Sequence, residues 1–85
     1  MRNDREFKIR MASVRQNFRM HLENICKDCI TDFDHLTIEW NPEDTEYMTD
    51  AKTVTVYYRN GYSKCINVAA DSFAAIVMDV MRWAV

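Results

Sequence analysis

The chain holds a single glycine, Gly61, and it follows Asn60 between two segments of alternating apolar and polar residues. An Asn-Gly pair supplies the left-handed backbone that a tight β-hairpin needs. Residues 52–58 place Val54, Val56 and Tyr58 on one face, and residues 62–68 place Tyr62, Ile66 and Val68 on one face. A two-residue loop would set Val56 against Cys65 and Val54 against Asn67, dividing the apolar set between both faces. A three-residue loop, Arg59-Asn60-Gly61, sets Tyr58 opposite Tyr62, Val56 opposite Lys64 and Val54 opposite Ile66. Register follows the buried face, so the three-residue loop is predicted, with Gly61 left-handed and Lys64 as the misfit.

A third strand is expected over residues 35–40, with Leu36, Ile38 and Trp40 alternating against His35, Thr37 and Glu39. Before it, Phe7, Met11, Val14, Phe18, Leu22, Ile25 and Cys29 recur at helical spacing. At 100° per residue they occupy about 80° of arc, one face of a helix. Asp4 and Ser13 are alternative N-caps. The helix is therefore predicted from about residue 5 or 14 to about 30, with residues 1–12 a frayed or extended start. Met11 is also a candidate start of translation. A last helix is predicted over about 70–84, capped by Asp71, with Phe73, Ile76, Val77, Val80, Met81 and Ala84 inward. Met78, Trp83 and Val85 fall off that stripe. The order α-β-β-β-α predicts a single two-layer α+β domain over residues 1–85, a three-stranded antiparallel meander with both helices on one face. The other face is expected to carry His35, Thr37, Glu39, Thr53, Thr55, Tyr57 and Cys65.

Bulk properties narrow the function classes. One glycine and one proline argue against a long linker. No apolar run reaches the length of a membrane span, and charges from Arg2 to Arg10 leave no signal-peptide core. Three cysteines fit a reducing compartment, so a cytoplasmic location is expected.

Catalytic constellations do not emerge. Cys26 and Cys29 form a Cys-x-x-Cys pair, but at a predicted helix C-terminus, where the dipole disfavours a thiolate. Cys26, Cys29, His35 and Cys65 match no strong zinc spacing. His21 and His35 stand in no nucleophile motif, and there is no glycine-rich phosphate loop. The expectation is no enzyme, no cofactor and no metal.

Charge is the more informative pattern. Residues 1–27 carry seven Lys or Arg, whereas residues 28–50 carry eight acids and neither Lys nor Arg. The first helix aligns Arg5, Lys8, Arg15 and Arg19 along one flank, a row able to track a phosphate backbone. In the acidic block, Glu43, Asp44 and Glu46 accompany Trp40, Tyr47 and Met48, a mix of charge and apolar anchors suited to a protein interface. Asn41-Pro42 would start one helical turn there.

The element order resembles the double-stranded RNA-binding domain. That family opens its second helix with a lysine-rich patch, where this chain has Asn67-Val68-Ala69-Ala70-Asp71-Ser72. Its Gly-Pro-x-His loop is replaced by Asn41-Pro42-Glu43-Asp44. The resemblance implies topology and not RNA binding. Small phage inhibitor proteins are similar in style, compact with acidic surfaces. The leading expectation is a non-enzymatic protein-binding module, a regulator or inhibitor from a phage or other mobile element, acting on an unidentified and basic protein. Nucleic-acid binding through the first helix is the alternative. A homo-oligomeric subunit, with a homodimer formed through the end of the last helix, is the third.

Overall fold

A computed structural model describes residues 4–41, 51–70 and 72–85. The elements are α1 (Asp4–Cys29), β1 (Phe33–Trp40), β2 (Ala51–Tyr58), β3 (Ser63–Ala70) and α2 (Phe73–Ala84). The strands form an antiparallel sheet in the order β1-β2-β3, and the helices form the second layer. This is the α+β arrangement expected from the alternating and helical periods.

The hairpin takes the predicted register. Val54 pairs with Ile66, Val56 with Lys64 and Tyr57 with Ser63. Tyr58 N–H donates to the Tyr62 carbonyl at 2.9 Å, and Gly61 sits at φ +91°. Turn chemistry and the apolar face agree, so one register satisfies both.

The core gathers Phe18, Leu22 and Cys26 of α1 with Phe33, Leu36, Val54, Val56, Ile66 and Val68 of the sheet. From α2 it takes Ile76, Val80 and Ala84. Phe18 stacks on Phe73 at 4.3 Å between ring centroids, joining α1 to the start of α2. At the far end of α2, Tyr58 Oη donates to the Ala84 carbonyl at 2.9 Å.

Several details differ from expectation, Ile25 of the predicted stripe being exposed among them. Cys26 is fully buried and Cys29 exposed, the reverse of the predicted stripe. Arg15 is also buried, so the inward face of α1 is turned by about 40° from the apolar centre. In this orientation Phe18 stacks on Phe73 and Arg15 lies over Trp40. Ser72 caps α2, its Oγ accepting from Ala75 N–H at 3.2 Å. The cap expected at Asp71, like the turn expected after Asn41, lies outside the described residues.

Candidate interaction surface

The basic flank of α1 is remodelled by its neighbours. Arg15 is 7 % exposed, its guanidinium 4.7 Å from the Trp40 ring centroid. A cation over an indole face is attracted by the ring quadrupole, more strongly when water is excluded. Arg19 is ion-paired with Glu23 one turn on. Lys8 is exposed, and Arg5 is exposed but holds a further interaction. Lys8, Arg15, Arg19, Gln16, Trp40 and Asn41 line an open groove of about 420 Å³.

Trp40, expected as an interface anchor, is half-buried and edge-on to both Phe18 and Phe73. Glu43, Asp44, Glu46, Tyr47 and Met48 lie outside the described residues. Before them, Asp28, Asp32, Asp34 and Glu39 are all exposed. Arg59 closes part of this corner. Its amide donates to the Asp32 carbonyl at 2.8 Å and its Nε to the Phe33 carbonyl at 3.4 Å.

The open face of the sheet carries the expected polar set. His35 stacks on Tyr57 at 4.4 Å, and its Nδ1 lies 2.7 Å from Asp34 Oδ2. Thr53 donates to Glu39 at 3.4 Å. Both members of the His35–Asp34 pair are about half exposed, so water competes with the contact. Among the described residues, no three His, Cys, Asp or Glu side chains are placed to hold a metal ion.

The three thiols differ. Burial, with Cys29 and Glu23 nearby, pushes the Cys26 thiol up to about 11. Cys29 and Cys65 face solvent, and all three cysteines are free. A buried thiol held above its ordinary range is a packing group, not a nucleophile.

Large apolar side chains are exposed on α1 (Ile9, Met20 and Ile25), at the hairpin tip, and on and just after α2. Tyr62, Met78, Trp83 and Val85 are 73 %, 66 %, 55 % and 72 % exposed. Trp83 reaches β3 and, with Lys64, Cys65, Ile66 and Asn67, lines a groove of about 340 Å³. Met78, Trp83 and Val85 were legible as off-stripe residues of the last helix. Tyr62 was not, because alternation placed it with Val54 and Ile66 on the apolar face. It stands at the loop end of the hairpin, outside the core cluster.

Fold and surface define a class: a small two-layer α+β domain with apolar side chains left in solvent on both helices. Comparisons with protein-family models, curated proteins and solved structures give no match to this chain. Among the described residues, no helix is long and apolar enough to cross a membrane.

Proposed function

We propose that this protein is a non-enzymatic binding module that acts by contact with another protein chain. The observation that carries the reading is the exposure of Met78 and Trp83 on a helix of twelve residues and of Val85 at its C-cap. Such a helix has one face in the core and large apolar groups on its other sides, and exposed apolar patches mark interaction sites. The acidic stretch around Glu43, Asp44 and Glu46 serves this reading by steering a basic partner on approach. A regulator or inhibitor of mobile-element origin, working in the cytoplasm by occluding its target, fits this mode of action.

The test compares proteins retained by the native chain with those retained by Met78→Glu/Val85→Glu and by Glu43→Lys/Asp44→Lys/Glu46→Lys. A saturable partner kept by the native chain and lost from either variant supports contact function. Equal retention by all three chains overturns it.

Nucleic-acid binding keeps one observation in its favour, the groove that joins Lys8 and Arg19 to Trp40. Burial of Arg15 and pairing of Arg19 leave that row with less free charge to offer phosphate. Salt-dependent anisotropy changes with labelled DNA or RNA would promote it. Flat titrations with folded protein would remove it.

A further inference from the structure

β3 is an edge strand, and among the described residues no other strand pairs with its outer side. Its hydrogen-bonding phase follows from the hairpin. The Tyr58–Tyr62 bond marks a hydrogen-bonded pair, so alternation makes Val56–Lys64 and Val54–Ile66 hydrogen-bonded pairs too. Ser63, Cys65 and Asn67 therefore turn their backbone N–H and C=O groups outward. Beyond Asn67 the alternation breaks. From Thr53↔Asn67 to Ala51↔Ala70, β2 advances two residues and β3 advances three, which places a bulge near Val68.

The two edges of the sheet are not equally protected. β1 carries Asp34, His35 and Glu39 and has register irregularities near both ends. Charges and bulges are the usual guards of an edge. β3 has no proline, and Lys64 is its single charge. Its regular stretch, 63–67, is the part bordered by Trp83 and the groove over Lys64, Cys65, Ile66 and Asn67. A bare backbone edge, an exposed indole and a slot thus coincide over five residues.

We infer that β3 pairs antiparallel with β3 of a second copy, joining two three-stranded sheets into one six-stranded sheet with Cys65 on the two-fold axis. This goes beyond the contact reading above, with which it shares Trp83, by adding a second copy of the chain as a partner at a separate seam. The register is set by the bulge and by face. Antiparallel partners directly opposite must project to the same side of the sheet, which centres the axis on a residue rather than between residues. Centring on Cys65 sets Ser63 against Asn67 of the second copy and makes about six backbone hydrogen bonds without entering the bulge. The outer polar faces of both sheets remain on one side. On the other side Trp83 of each copy comes beside the 64–67 groove of its neighbour, where indole and Lys64 attract each other. A β1-to-β3 contact would instead be heterologous and open-ended, and the charges and irregularities of β1 oppose it.

Sedimentation equilibrium of the full chain tests this directly. The native protein is expected at twice the chain mass of 10.1 kDa. Asn67→Pro removes an outward N–H and leaves the β2 ladder intact, so it is expected at the chain mass with native circular dichroism. Trp83→Lys, at an exposed position, is expected to weaken self-association at least tenfold. A short bismaleimide should couple native chains, fail with Cys65→Ser and succeed with Cys29→Ser. A native protein at the chain mass at high concentration overturns the inference, as does a dimer that persists in both edge variants. Either result leaves the partner-retention comparison free to stand, since Met78 and Val85 lie outside the proposed seam.

Discussion

Arg15 is a cation in a buried position, where it lies over an indole and holds a further interaction. The helical spacing placed it at the margin of the apolar face, about 60° from the centre, with three other bases. What the spacing does not contain is the tertiary setting, in which Phe18 stacks on Phe73 and Arg15 lies inward over Trp40. Arg15→Ala is expected to cost about 1–2 kcal/mol through lost packing and cation–π attraction. An unchanged urea midpoint would contradict that role. The same orientation of α1 exchanges Cys26 for Cys29 in the core, and it has a consequence for pH. The Cys26 thiol is raised from 9.0 to about 11 by burial, then by Cys29 and Glu23. The folded state therefore holds its proton where the unfolded chain has lost it. This contribution is full well below pH 9 and falls as pH rises towards 11, by up to about 3 kcal/mol. Cys26→Ala should flatten that slope, and a slope equal to that of the native chain would sink the assignment. The same desolvation raises Tyr58, whose Oη is engaged with Ala84.

At the scale of elements, the hairpin was the most legible part because two independent signals converge on it. Gly61 occupies positive φ, and a Cβ added there would meet nothing within 4 Å. Gly61→Val therefore carries a backbone cost alone, about 1–2 kcal/mol. Gly61→Asn should cost less, since Asn visits the left-handed region more readily. Equal melting temperatures for native protein and Gly61→Val would refute the conformational account. The start of α2 was less legible, because Asp71 and Ser72 are both good caps and only the chain's path selects one. Ser72→Ala is expected to lose about 1 kcal/mol with the Ala75 bond, read as a lower melting temperature. The candidate surface was legible only as residues left over from the core stripe of the last helix. Trp83 was visible in that way, but its approach to β3 depends on tertiary placement that no period encodes.

The whole molecule is set by two helices of unequal length. α1 has 26 residues and α2 has 12. At 1.5 Å per residue α1 outruns α2 by about 21 Å. Phe18 meets the first residue of α2, so most of that excess precedes Phe18. Ile9 is 62 % exposed there, while Met11 is buried outside the main core cluster. The principal extents are 48 × 19 × 19 Å, and the radius of gyration is 13.6 Å. A compact domain of this length would have a radius near 12 Å. A rod of that shape drags more water and elutes early from a sizing column, at a volume matching a heavier sphere. That shift falls short of the doubled mass a dimer would show, so elution still separates the two states, and rotational diffusion would be slow end over end and fast about the long axis.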